Sequence, residues 1–139
     1  MTTPHRPITP KDVVDYRAPR DAQISPDGQF VAFSLEHASK PRPMSQLPSQ
    51  IWLAEVASAH SRRLTFSAGV DCSPRWSPDS RRLAFLSDRA RSDQFQLHVL
   101  ELSGGEARPV TELQGAVSDP AWSPDGQQIG FLVTESPPA

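Results

Sequence analysis

Short apolar runs, Phe30-Val31-Ala32-Phe33, Leu83-Ala84-Phe85-Leu86 and Ile129-Gly130-Phe131-Leu132-Val133, recur along the chain, each directly behind the same polar phrase. They are too short for helices and rich in strand formers, so each predicts a buried β-strand. Large Phe alternates in them with Ala or Gly, which fits sheets stacked against neighbours on both faces, one face having little room. The phrase in front is a hairpin turn by its chemistry. In Ser25-Pro26-Asp27-Gly28, Ser77-Pro78-Asp79-Ser80 and Ser123-Pro124-Asp125-Gly126, Ser suits the first turn position and Pro presets φ at the second. Asp bonds its own backbone, and Gly supplies a positive φ at the fourth position. Ser80 departs from glycine; in a left-handed conformation it carries strain of ~1 kcal/mol, which makes the middle turn the weakest by expectation.

Turn and run together form a ten-residue phrase, Trp-Ser-Pro-Asp-x-x-x-(Leu/Ile)-x-Phe, at Trp76–Phe85 and Trp122–Phe131, with Ile in place of Trp at Ile24–Phe33. The marker prolines Pro26, Pro78 and Pro124 stand 52 and 46 residues apart, within the range of propeller blades rather than helical solenoids. Trp76 and Trp122 close the strand before the turn and are expected to pack between blades. Two further strands follow in each unit, Gln50–Val56 with Arg62–Phe66 and Phe95–Leu102 with Arg108–Leu113, joined by Ala57–Ser61 and Ser103-Gly104-Gly105-Glu106. Their apolar and polar residues alternate, as in strands with one wetter face.

The fold class is therefore all-β, an incomplete β-propeller of four-stranded antiparallel blades, roughly two and a half of them. Residues 1–17 form an N-terminal segment, 18–66 the first blade, 67–113 the second and 114–139 a partial third. Thr9-Pro10-Lys11-Asp12-Val13-Val14 sets a capping residue before a proline at the first helical position, predicting a short helix through about Tyr16. It caps the first blade or docks on a neighbouring domain. So few blades do not close a ring, so the chain reads as a fragment with open strand edges, and self-association through those edges is expected. The long segment Glu36–Ser49 shares a rim with Ser67–Val70, Ser87–Gln94 and Gln114–Val117, where a partner would meet the molecule, unless the segment is a tolerated insertion.

Composition narrows the function. A net charge of −2 and a pI near 6.0 give no electrostatic footprint for nucleic acid. Lys11 and Lys40 are outnumbered by arginines, of which Arg62-Arg63 and Arg81-Arg82 read as solvated strand ends. The 15 prolines fall in turns, termini and one loop, punctuating a β-protein. Cys72 excludes an internal disulfide and reads as a small hydrophobe in an inner strand. Met1–Pro10 lacks the apolar stretch of an export signal and no membrane span is seen, so the expected compartment is the cytoplasm. No Gly-x-Ser-x-Gly elbow or phosphate-cradling glycine loop occurs, and His5, His37, His60, His98 and Cys72 lack metal-ligand spacing. His98, in a strand, faces solvent or a neighbouring side chain rather than acting as a base. Asp27, Asp79 and Asp125 recur with the repeat and are turn formers. No catalytic, cofactor-binding or metal-binding residue is assigned, and no cofactor is expected.

Ile8-Thr9-Pro10-Lys11-Asp12-Val13-Val14, Ile24–Phe33, Phe85-Leu86-Ser87-Asp88-Arg89 and Gln96-Leu97-His98-Val99 together resemble the N-terminal propeller of prolyl oligopeptidase-family serine peptidases, in the acylaminoacyl-peptidase and dipeptidyl-peptidase-like branch. The likeness covers essentially the whole chain. TolB-type propellers share the Ser-Pro-Asp-Gly and Ser-Asp-Arg phrases and are the second choice; the opening before the first blade tips the balance toward the peptidases. The resemblance implies a parent with a propeller followed by an α/β-hydrolase domain carrying a Ser-Asp-His triad, the propeller admitting short peptides only. No triad residue has a counterpart here, so peptide substrates enter only through a hydrolase domain absent from this chain.

Overall fold

A computed structural model describes residues 7, 9, 16–38 and 47–135. Among them there are strands and turns but no helix. The helix expected from Thr9 falls almost wholly outside the described residues; its last expected residue, Tyr16, opens a strand instead.

Strands β1 (Tyr16–Ile24), β2 (Phe30–Ala38), β3 (Ser49–Glu55) and β4 (Ser61–Arg63) form one antiparallel sheet in that order. Strands β5 (Asp71–Trp76), β6 (Arg82–Ser87), β7 (Gln96–Glu101) and β8 (Arg108–Pro109) form a second of the same plan. Strands β9 (Ala116–Trp122) and β10 (Ile129–Thr134) pair as a third, two-stranded sheet. Each Ser-Pro-Asp phrase sits in the hairpin between a sheet's first and second strands, with Ile24 opposite Val31, Trp76 opposite Leu83 and Trp122 opposite Ile129.

The sheets stack face to face: β5 packs on β1, β2 and β3, and β9 packs on β5, β6 and β7. Two apolar layers result. The first gathers Ala32, Ile51, Leu53, Trp76, Leu83, Phe85 and Leu100; the second gathers Ala84, Leu86, Leu97, Val99 and Val117, with Trp122, Ile129 and Phe131 against it. Successive residues of β6 therefore serve opposite layers, Leu83 and Phe85 turning to the first sheet and Ala84 and Leu86 to the third. This accounts for the alternation of Phe with a small residue. Phe33, the counterpart of Phe85, is only half-buried, since no described sheet covers that side of β2.

Two expectations about the outer strands are corrected. From Gln96 to Leu100 β7 is buried at every residue, because both of its faces are covered, and of the third and fourth strands of the second sheet only the fourth is wet throughout. Those fourth strands are also far shorter than the runs predicted at Arg62–Phe66 and Arg108–Leu113. Past β4 the hydroxyl of Thr65 accepts from the Ile51 amide at 2.9 Å, and past β8 Thr111 accepts from Leu97 at 2.9 Å. A side chain thus takes over the ladder where the backbone turns away.

Candidate functional site: sheet seams and rim

The inner strands carry a bulge that recurs. Register shifts in all three first strands, at Asp21, Ser73 and Asp119, and these residues have φ of 51°, 55° and 51°. Asp and Ser tolerate the left-handed region better than branched residues, and Pro74 and Pro120 lack the amide a ladder would need. Three residues on, the bulge brings the Trp position to the seam. Trp76 Nε1 donates to Gln23 O at 2.9 Å and Trp122 Nε1 to Arg75 O at 2.9 Å, so each indole ties its sheet to the backbone of the one before. Both tryptophans are core anchors, as expected. Around them Ile24, Pro26, Pro78, Pro120 and Pro124 help form a shallow depression of about 440 Å³.

The Ser-Pro-Asp turns are built alike. Ser25, Ser77 and Ser123 each donate to Asp27, Asp79 and Asp125 at 2.6 Å, and each carboxylate also accepts from the amide two residues on at 3.0 Å. The serine hydroxyl foremost, then that amide, hold all three carboxyls below their ordinary value of 3.8. Well above pH 3.8 the benefit is complete, since both folded and unfolded chains are ionised. As pH falls toward and through 3.8 the unfolded chain takes up protons first, so stability is lost over that acid range. Denaturant titrations over that range are expected to show Asp79→Asn with a shallower acid loss than the parent chain.

Ser80 does adopt the left-handed conformation, with φ 61° against 72° at Gly28 and 70° at Gly126. Its hydroxyl, however, accepts from the Asp27 amide at 3.1 Å, a bond from one turn to the next that glycine cannot make. Two effects of similar size oppose each other. Ser80→Ala keeps the strain and loses the bond, for an expected cost of about 1 kcal/mol, whereas Ser80→Gly loses both and is expected to stay within ~0.5 kcal/mol of the parent. Urea unfolding of the two variants checks this.

Arg82 is not the solvated strand end expected of it: Nη2 donates to Gly126 O at 2.9 Å, and the guanidinium lies 4.7 Å over the Trp122 ring. Arg63 likewise caps the Phe66 ring at 4.7 Å and donates to Thr65 O, while Arg62 and Arg81 are exposed.

At the opposite ends of the strands lies the rim. Ser49 donates its amide to Gly69 O, the Val70 amide donates to Asp88 Oδ1 at 2.8 Å, and the Val117 amide donates to Phe95 O. The expected grouping of these connections is therefore seen, except for residues 39–46, which lie outside the described residues. Ser87-Asp88-Arg89 organises the rim. Ser87 Oγ accepts from Arg89 Nε at 2.9 Å, turning Nη2 toward the fully buried Asp71 at 3.3 Å, and Ser67 donates to the other Asp71 oxygen at 2.8 Å. Arg89 also lies over Phe85, which stacks with His98 at 5.7 Å. Burial above all pulls the His98 pKa down from its ordinary value. The ring faces a neighbouring side chain, one of the two alternatives for it. Cys72, half-buried on β5, has its thiol pushed up to about 11, chiefly by burial, in keeping with a small hydrophobe.

A cleft of about 940 Å³ opens beside the rim, lined by Leu64, Phe66, Ala68, Arg89, Leu100 and Ala107 among others. Every buried side-chain polar atom among the described residues has a partner, and no group of three metal-ligating residues is found among them. The polar groups at seam and rim hold sheets in register.

Stacked four-stranded antiparallel sheets, tied at their inner strands, define the β-propeller class. The model of the TolB beta propeller domain matches residues 13–137, and the chain belongs to that family. The uncharacterized peptidase YuxL of Bacillus subtilis strain 168 is 39% identical over 93 residues, which cover 67% of this chain and 14% of the peptidase. Among solved structures, TolB from Acinetobacter baumannii superposes with a TM-score of 0.66 at 23% identity, over 83% of this chain and 26% of TolB. The acylaminoacyl peptidase of Pyrococcus horikoshii does so at 0.65 and 19% identity, over 86% of this chain and 17% of the peptidase. The chain thus spans a small part of the length of the proteins it matches.

Proposed function

We propose that this chain is the propeller segment of a prolyl oligopeptidase-family peptidase, gating and scaffolding the access of peptides to a hydrolase domain. The observation that carries the reading is the 39% identity to a peptidase over two thirds of the chain. In this role the propeller needs no nucleophile of its own. It needs rigid seams, which the tryptophan and arginine ties supply, and strand ends that limit what passes.

The experiment is to read the coding DNA past the Ala139 codon. Further Ser-Pro-Asp repeats followed by a Gly-x-Ser-x-Gly elbow are expected. Repeats that end without an elbow overturn the gating role, and so does peptide hydrolysis by the purified 139-residue chain. A second reading, a TolB-like propeller that binds a protein partner without catalysis, draws on the family model and the TolB superposition. An export signal upstream of Met1 favours it.

A further inference from the structure

Two sheet-to-sheet seams are described, and both use the same positions. At the first, the incoming sheet supplies Trp76 and, just before it, Arg75; the receiving sheet supplies Gln23 O and the carboxylate of Asp21, which Arg75 Nη1 meets at 2.8 Å. At the second, Trp122 meets Arg75 O, but Ala121 stands at the position of Arg75 and Ser73 at that of Asp21. The pair is charged at one seam and neutral at the other, and in each case the two halves match. The position three before the Trp, at the bulge, reads out what the next sheet brings.

The third sheet carries the receiving half without a described partner. Asp119 occupies the bulge with the same φ as Asp21, 51°, and its exposed carboxylate has no hydrogen bond or ion pair among the described residues. Ala121 O stands at the position of Gln23 O and Arg75 O. Gly130 and Leu132 stand where β6 has Ala84 and Leu86, the pair it turns toward the following sheet, and Leu132 is 63% exposed.

We infer that this face is a docking surface for a further blade whose inner strand ends in a basic residue followed by tryptophan. The indole donates to Ala121 O, and the cation pairs with Asp119. Continuity with the two seams already formed carries the assignment, and it is independent of whether the parent protein is a peptidase. A second copy of this chain is not the occupant. Its first sheet offers Gln23-Ile24, which has neither an indole N–H nor a cation.

The test converts that first sheet into a match. In the full chain, Gln23→Arg with Ile24→Trp is expected to produce head-to-tail association about tenfold tighter than that of the parent chain in sedimentation equilibrium. Salt is expected to weaken it, and Asp119→Arg to return it to the parent level. A double variant that keeps its circular dichroism and thermal transition yet associates no more tightly overturns the inference. So does association that survives Asp119→Arg. A charge-swapped version, Gln23→Asp with Ile24→Trp on Asp119→Arg, reads the same match with the charges reversed and is expected to restore the association.

Discussion

Trp76→Ala is expected to lower the stability of the chain by about 3–5 kcal/mol, the largest effect of any single substitution considered. The side chain is 9% exposed and belongs to the layer formed with Ile51, Leu53, Leu83 and Phe85, so truncation leaves a cavity between two sheets that β-strand backbones cannot collapse to fill. It also removes the donor to Gln23 O, the tie nearest the inner edge of the seam. Trp76→Phe separates the two contributions. It keeps most of the apolar volume and loses the hydrogen bond, for an expected cost of ~1–2 kcal/mol. Trp122→Ala is expected to cost less than Trp76→Ala, because Trp122 is only half-buried and borders a two-stranded sheet. Denaturant unfolding followed by tryptophan fluorescence orders the three, and equal losses for Trp76→Ala and Trp76→Phe would rule out the packing share.

The second large effect belongs to the rim. Asp71 is fully buried, and Arg89 is its cationic partner, so Arg89→Ala leaves a carboxylate inside the fold with Ser67 as its remaining side-chain donor. Losing one partner of a buried pair is expensive because the other remains desolvated, and a loss of about 3 kcal/mol is expected. Arg89→Lys should recover less than half of it. A single ammonium cannot donate to Ser87 and Asp71 in one plane while lying over Phe85 at 5.5 Å, as the guanidinium does. Thermal denaturation of both variants at neutral pH decides the matter. Full rescue by lysine would mean that charge alone, not the fork, holds the rim.

Much of the sheet architecture was legible because the repeat states it several times. Pro at the second turn position and Asp at the third fix the hairpins whatever surrounds them, and the Phe–Ala alternation records a sheet covered on both sides. The seams were less legible, because they depend on residues distant in sequence. That Arg82 reaches Gly126 and Arg75 reaches Asp21 follows from stacking, which no local pattern encodes. Yet one signal lay in plain sight: Arg62-Arg63-Leu64-Thr65 and Arg108-Pro109-Val110-Thr111 repeat the order Arg, any residue, aliphatic, Thr. Read as a repeat, it marks where the fourth strands end; read by alternation alone, it prolonged them. The buried Asp71 was likewise invisible as a charge to be paired, since its partner lies across a hairpin at Arg89.

Those truncated fourth strands bear on what such an assembly offers to other chains. A long flat edge strand is a template on which other chains add, and the outer edges of the two four-stranded sheets offer three paired residues at β4 and two at β8, one of the latter a proline without an amide to give. Thr65 and Thr111 consume the next amide inward, so a foreign strand finds no run of free donors to extend. At those two sheets the circumference is thereby shut to amyloid-like addition, whereas β10 of the two-stranded third sheet presents a six-residue edge with no described neighbour.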